Sequence, residues 1–243
     1  MAGRVMQSVV GLLYPAQCVS CDARIDGDHA LCGPCWRETP FITGLVCDLC
    51  GVPLPGEDLG TIEHCDDCLA IARPWSRGRA AMLYRDNGRR LVLALKHGDR
   101  PDLARPAARW MAAAAAPLMQ PGTLVVPVPV HWSRLLKRRY SQSALLAREL
   151  ARITGHDWLP DGLLRARKTP MLDGLNRDQR FATLDEAVRP HPKRGVRLSG
   201  RPVLVVDDVM TSGATLSTTA DAARAAGATS VRVMALARVA KDT

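Results

Sequence analysis

The sequence predicts an α/β protein: a parallel sheet flanked by helices, preceded by a small cysteine-rich, zinc-binding domain. Three observations carry that expectation. All eight cysteines fall between positions 18 and 68, in four Cys-x-x-Cys pairs. From residue 79 onward, apolar strand-like runs alternate with alanine-rich helical stretches, the pattern of consecutive βαβ units. One of those runs, "VLVVDDVMTSGAT" (203–215), meets two adjacent aspartates and then a cluster of small hydroxyl residues and glycine.

The cysteine pairs are Cys18/Cys21, Cys32/Cys35, Cys47/Cys50 and Cys65/Cys68; ten residues separate the first two pairs and fourteen the last two. A Cys-x-x-Cys turn presents two thiolates at the separation one tetrahedral ion needs, and two such turns complete a four-cysteine shell. Eight thiolates therefore predict two structural zinc ions. A disulfide framework would need an oxidising compartment. The start, "MAGRVMQSVVGLLYP", lacks the apolar core and cleavage site of an export signal; it reads as a short amphipathic lead-in helix, and the expected location is cytoplasmic. A redox Cys-x-x-Cys is usually single and sits beside a βαβ pattern, and the spacing is not characteristic of an iron–sulfur cluster. Two ligand topologies are open. Sequential pairing puts Cys18, Cys21, Cys32 and Cys35 on one ion and Cys47, Cys50, Cys65 and Cys68 on the other. A cross-braced module would join the first pair to the third and the second to the fourth. Sequential pairing closes shorter loops and is the expected arrangement. His29 and His64 lie near the ligands, but four cysteines per site leave them no obligatory place. Closed all-cysteine sites keep no open coordination position, so this region is expected to staple a small module and to offer a binding face, not to catalyse. Composition changes in "LAIARPWSRGRA" (69–80), which divides the chain into 1–72 and 73–243.

Beyond that boundary, "RAAMLY" (79–84) reads as a strand, followed by helical "NGRRLVLALKHG" and "DLARPAARWMAAAAAPLM". "TLVVPVPV" (123–130) is the next strand, its two prolines confining it to an end or a loop mouth. In "SQSALLARELARITG", Leu145, Leu146, Leu150 and Ile153 share a helical stripe and Gly155 stands as the C-terminal cap. "RPVLVVDD" (201–208) is continuously apolar up to the acids, as a parallel strand covered on both faces must be. "GATLSTTADAARAAG" is a helix ending at Gly227, and "TSVRVMALARV" (229–239) is the return strand.

In open α/β sheets ligands collect at the carboxyl ends of the strands, where Asp207 and Asp208 emerge. The turn from Thr211 to Thr215 leads into a helix N-terminus, whose outward N–H groups and dipole favour a phosphate. Gly213 lets the backbone approach, while Thr211, Ser212 and Thr215 offer hydroxyl donors beside Ala214. Two carboxylates next to a phosphate would repel it unless they bind something else, and the adjacent hydroxyls of a ribose are such donors. The pattern asks for a ribose 5-phosphate. Neither G-x-x-x-x-G-K-[ST] nor G-x-G-x-x-G is present, which excludes a nucleoside triphosphatase loop and a dinucleotide fold.

Bulk properties narrow the function classes. No apolar run reaches the roughly 18 residues needed to cross a bilayer, so no membrane span is expected. Aromatic content is 4%, against base stacking as the main working surface. Net charge is +9, concentrated in "RLLKRR" (134–139), "RARK" (165–168) and "RPHPKRGVRLSGR" (189–201), which suits an anionic partner or a plain solvated surface.

"VLVVDDVMTSGAT" resembles the phosphoribosyl pyrophosphate signature of type I phosphoribosyltransferases: aliphatics, two acids, then a T-[TS]-G-x-T loop. The cysteine-rich front "LLYPAQCVSC", then "VVPVPVHWSRLLKRRYSQ" and "TPMLDGLNRDQR", are similar in order to the ComF/GntX family of competence-associated proteins, across essentially the whole chain. Where that family usually reads R-G-F-N-Q, this chain has Arg138-Arg139-Tyr140-Ser141-Gln142, and Thr169-Pro170-Met171 stands where a glutamine is usual. The resemblance implies that Asp207 and Asp208 hold the ribose hydroxyls and residues 211 to 215 the 5-phosphate. It further implies that Val130, His131, Arg138 and Arg139, with Arg134 and Lys137 nearby, face the pyrophosphate, and that Mg²⁺ accompanies the phosphoribosyl pyrophosphate. Lys96 is expected to cap a helix end, His131 to be structural, and residues 166–180 to form a loop that could act as a lid. Two functions follow. One is transfer of the phosphoribosyl group to a nitrogen nucleophile. The other is a non-catalytic DNA-uptake factor, with single-stranded DNA and a competence helicase or recombination mediator as candidate partners.

Overall fold

The computed structural model describes residues 15–27, 30–97, 99–131, 140–167 and 187–240. The expected lead-in helix, His29, Arg134, Lys137, Arg138, Arg139 and nearly all of the 166–180 loop lie outside the described residues.

In the cysteine-rich part the regular structure is two short helices, α1 (Gly33–Glu38) and α2 (Asp66–Ala70). Each begins at the first cysteine of a pair: Cys32 and Cys65 are the N-cap residues. The remainder follows as β1 (Arg77–Leu83), α3 (Asp86–His97), α4 (Ala104–Ala115), β2 (Leu124–Pro127), α5 (Gln142–Thr154), β3 (Asp157–Trp158), β4 (Leu163–Arg165), β5 (Val188–Pro190), β6 (Pro202–Met210), α6 (Ala214–Ala225) and β7 (Ser230–Arg238). Five strands form one parallel sheet in the order β1-β7-β6-β2-β3. β4 and β5 pair antiparallel as a separate ribbon. The fold is the expected α/β sheet with helices on its faces.

β6 lies in the middle of that sheet, paired with β7 through Val203↔Val231 and with β2 through Val203↔Leu124. Its side chains alternate between two cores. Leu204 and Val206 pack with Leu95, Met111, Leu146 and Leu150 of α3, α4 and α5. Val203 and Val205 pack with Leu216 and Ala220 of α6 and, unexpectedly, with Cys47, Cys50 and Cys68. Burial on both faces is why the run is apolar without alternation.

Local departures have local causes. The expected helix over 102–119 is split: short 3-10 turns at Pro101–Leu103 and Ala116–Leu118 flank α4, each with a proline that has no N–H to extend a helix. β2 includes Pro127 as its last residue, and Val128 beyond it still donates to Val206 O at 2.9 Å. In α5, Leu146 and Leu150 are buried as expected, whereas Ile153 is 37% exposed; Ser141 caps its start and Gly155 its end. β3, β4 and β5 are two or three residues long, too short to leave a periodic signal.

The cysteine-rich part is seated directly on β1. Gly78 N–H donates to Asp48 O at 2.8 Å, and Asp48, buried, pairs with Arg79 at 2.6 Å and Arg77 at 3.1 Å. Trp75 Nε1 donates to Leu49 O at 2.6 Å. A methyl group on Gly78 would overlap the carbonyl of Leu49, so the strand approaches the turn between Cys47 and Cys50 only because residue 78 has no side chain. We expect Gly78→Ala to destabilise the protein by on the order of 1–3 kcal/mol; urea denaturation of the zinc-loaded chain checks it, and an unchanged midpoint would show that this contact is slack.

Candidate functional site

The cysteines group as sequential pairing predicts. Cys18, Cys21, Cys32 and Cys35 form one set and Cys47, Cys50, Cys65 and Cys68 the other, each with its sulfurs within 4.8 Å of one another. Cys21 and Cys32 Sγ are 3.6 Å apart, and Cys50 and Cys65 Sγ 3.7 Å. A tetrahedron of four Zn–S bonds of about 2.3 Å has edges of about 3.8 Å, so the sulfurs already stand where zinc needs them. His64 belongs to neither set. Cys32 N–H donates to Cys18 Sγ at 3.3 Å, a contact that favours a thiolate. Both are structural zinc sites.

The second candidate element is the end of β6. The strand runs two residues past the acids, to Met210, so Asp207 and Asp208 lie inside it, not at its tip. The next residues turn sharply into α6. Gly213, at φ 82°, is the N-cap; that left-handed conformation is strained for other residues, and a Cβ there would sit 3.0 Å from Arg73 Nη1. Asp207, Thr211, Ser212, Gly213, Ala214 and Thr215 line one shallow concavity open to solvent. The first N–H groups of a helix have no intrahelical partner, and in α6 these border the concavity.

The two carboxylates are treated differently. Asp207 is 8% exposed; it accepts from Ser143 Oγ at 2.9 Å and from the Asp208 N–H at 2.9 Å. Burial, and then the neighbouring Asp208 charge, pushes its carboxyl up to about 7, against the pull of Ser143 and Lys96. Asp208, 9% exposed, does not line the concavity and instead pairs with Lys96 Nζ at 3.2 Å. Lys96, expected as a helix cap, is therefore an ion-pair partner within the candidate site. Its helix end is pinned by Tyr140 Oη, which donates to Leu95 O at 3.0 Å, and by Gln142 Nε2, which donates to Lys96 O at 3.4 Å.

Of the residues expected here, the structure brings together Asp207 and 211–215, with Asp208 beside them but committed to Lys96. Val130 and His131 are half-buried just past the end of β2; Arg138 and Arg139 lie outside the described residues. The basic run 189–201 is partly spent on local structure: Arg194 pairs with Asp161, and Arg201 with Asp157 at 2.8 Å. Three contributors escaped the sequence reading. Ser143, Arg73 and Arg238 reach the site from distant positions, Arg73 through Ser212 O at 2.8 Å and Arg238 through Thr211 O at 2.7 Å. Only Tyr140-Ser141-Gln142, before an obvious helix, signalled that α5 would start here.

Comparison with known proteins agrees with both halves. Residues 9–69 match the family described as double zinc ribbon domain, and residues 177–243 match the phosphoribosyl transferase domain family. The chain is 30% identical to the DNA utilization protein YhgH of Salmonella typhimurium, over 93% of this chain and 99% of that protein. It is 28% identical to the protein of the same name from Escherichia coli, with the same coverage. With competence protein F of Haemophilus influenzae it shares 25% identity, over 91% of this chain and 96% of that one.

Metal analysis is expected to return two zinc ions per chain; far fewer would contradict the ligand sets. The Asp207 carboxyl gives a second test. It ionises at about 7 when folded and near 3.9 when unfolded, so the native state holds the extra proton and stability falls as pH rises from about 4 to about 7. Relative to wild type, Asp207→Asn should gain about 2 kcal/mol between roughly pH 5.5 and 8. Urea denaturation at each pH measures this difference, in which zinc-linked protons common to both proteins cancel; a difference that does not vary with pH would refute the assignment.

Proposed function

The chain belongs to the ComF/GntX family, and from that premise we propose that it binds phosphoribosyl pyrophosphate with Mg²⁺ at the β6–α6 turn and transfers the phosphoribosyl group to a nitrogen nucleophile in a DNA-uptake setting. One observation carries the reading most: the acids beside the turn are offset where an anion must sit. Lys96 neutralises Asp208, and burial favours the protonated form of Asp207 near neutral pH, so the α6 N-terminus can accept a phosphate without facing two free negative charges. The concavity joins Asp207 to that N-terminus in one surface, which suits a group carrying a hydroxyl and a phosphate a few ångströms apart.

In this reading the main-chain N–H groups and hydroxyls of Thr211, Ser212 and Thr215 hold the 5-phosphate. Asp207 and Asp208 orient the ribose, Asp208 by exchanging part of its contact with Lys96 for a sugar hydroxyl. Val130 and His131, with Arg138 and Arg139, take the pyrophosphate side. Mg²⁺ would bridge ligand phosphates and stabilise the departing charge. Displacement of pyrophosphate from C1 by a nitrogen nucleophile then needs positioning and electrostatic stabilisation, with no covalent intermediate on the protein. The DNA setting follows from the relatives named for DNA utilization and competence. It includes single-stranded DNA as a partner of the ribose-phosphate site or the basic clusters, and a competence helicase or recombination mediator as a partner of the zinc-binding part, divided from the rest near residue 72. Among the described residues no helix is long and apolar enough to cross a membrane.

Calorimetry with phosphoribosyl pyrophosphate and Mg²⁺ tests the site. Asp207→Asn/Asp208→Asn should weaken binding by at least about tenfold, near 1.4 kcal/mol; equal affinity for both proteins rejects the placement. Release of pyrophosphate, screened across nucleobases and amines, tests transfer itself. DNA affinity that hardly changes over a salt series would remove phosphate contacts as its source.

A further inference from the structure

The second four-cysteine set and the Thr211–Thr215 turn are joined by two guanidinium groups, that of Arg238 buried and that of Arg73 half-buried. Arg238, at the end of β7 and 5% exposed, donates from Nη1 to Met210 O at 3.3 Å, to Thr211 O at 2.7 Å and to Val239 O. Its Nη2 reaches Cys50 Sγ at 3.9 Å. Arg73, five residues past Cys68, donates to Ser212 O at 2.8 Å and stacks 5.4 Å over Trp75, whose own N–H holds Leu49 O between Cys47 and Cys50. Three successive carbonyls of the turn, from Met210 to Ser212, are thus held by side chains anchored against the metal-binding set.

The charges explain why arginine stands here. A divalent ion with four thiolates carries two net negative charges. Burying that cluster against the sheet needs compensating cations, and Arg238 supplies one in direct contact with a ligand sulfur. The same guanidinium fixes carbonyls whose peptide planes carry the N–H groups of Ser212 and the residue before it. Pulling those carbonyls toward the metal set orients the N–H groups the opposite way, because each peptide is planar.

We infer that Arg238 and Arg73 are positioning residues that couple metal at the second four-cysteine set to the conformation of the Thr211–Thr215 turn, so that metal occupancy and binding of a sugar phosphate reinforce each other. The ligand half of this coupling rests on the ribose-phosphate reading above. Without the metal, Cys50 is a neutral thiol or a free thiolate, its contact with Arg238 changes, and the turn loses one of its two anchors. Linkage makes the effect reciprocal: a ligand that binds the ordered turn slows metal loss by the factor by which metal tightens the ligand.

The test uses the full, zinc-loaded chain. Amide hydrogen exchange, without ligand, is compared in wild type, Arg238→Met and Arg238→Lys. We expect exchange across 211–215 to rise about tenfold in Arg238→Met while the interior of β6 and β7 stays protected, with partial rescue in Arg238→Lys, which keeps the charge. In parallel, zinc transfer to a chromogenic chelator is followed with and without phosphoribosyl pyrophosphate and Mg²⁺; saturating ligand should slow the release of one zinc in wild type about tenfold, but not in Arg238→Met. Should Arg238→Met fail to fold, partial zinc extraction from wild type replaces it, with exchange in residues 47–68 reporting that the second set has emptied. Loop exchange that is unchanged on losing that zinc overturns the coupling. So does ligand-independent zinc release from a wild type that binds the ligand. A wild type that binds no phosphoribosyl pyrophosphate instead defeats the ribose-phosphate reading, and the ligand-free exchange then decides the coupling alone.

Discussion

Two adjacent carboxylates buried near the end of a central strand dominate the arrangement around them. An ionised carboxylate removed from water without a partner costs several kcal/mol, and Asp207 and Asp208 sit next to each other with both side chains largely covered. The structure resolves this in two ways. Asp208 gains a cation, Lys96, at the end of α3. Asp207 gains a hydroxyl, Ser143, from the first turn of α5, and shifts toward its neutral form. Those partners fix where α3 must end and α5 begin, so a local electrostatic problem sets the placement of two helices on one face of the sheet.

The metal-binding part is integrated into that solution. Its second cysteine set contributes sulfurs to the core that covers the other face of β6, and Asp48, between Cys47 and Cys50, is locked to β1 by Arg77 and Arg79. A module with so little apolar material of its own gains stability from its ions, and it gains position from the sheet. The exposed Leu59, Ile62 and Leu69 of this part are single apolar side chains among many solvated ones and call for no partner on their own account.

Local patterns were readable where the chemistry is local. Cys-x-x-Cys spacing identified the eight ligands, with shorter loop closure favouring the pairing that the structure has, and the apolar run of β6 with Thr211-Ser212-Gly213-Ala214-Thr215 behind it specified strand, turn and helix. Lys96 stands in the last turn of α3, as the helix-cap expectation places it, but its ion-pair partner Asp208 lies 112 residues away in sequence, a separation no periodicity encodes. Arg238 closes the return strand and Arg73 stands in the segment between the two parts of the chain, and neither position has a local signal for a contact with the turn. Both hold carbonyls of the turn, Arg238 because the register of β6 on β7 sets Met210 opposite it. β3, β4 and β5 formed from segments whose own sequences hold too few residues to declare a period.

The two cysteine sets reach the candidate site by different routes, the first through the length of α3 and the second through Arg238 and Arg73. At the first, the buried Asn87 donates to Cys35 O at 3.2 Å and to Thr39 Oγ1 at 2.8 Å, and accepts from Ser20. That fixes the first turn of α3, a helix of about 18 Å at 1.5 Å per residue, whose last turn carries Lys96 to Asp208. At the second, Arg238 and Arg73 hold the turn after β6. The cation beside the acids is therefore set by one cysteine set's surroundings and the backbone of the proposed phosphate turn by the other's. The ion pair of Lys96 with Asp208 ties α3 to β6, while the second cysteine set is seated on β1 through Asp48 and the first on α3 through Asn87. Stiffness of that kind suits a site whose proposed work is to hold a charged sugar in one orientation, since fixed dipoles and charges act on a transition state only when they need not reorganise to meet it.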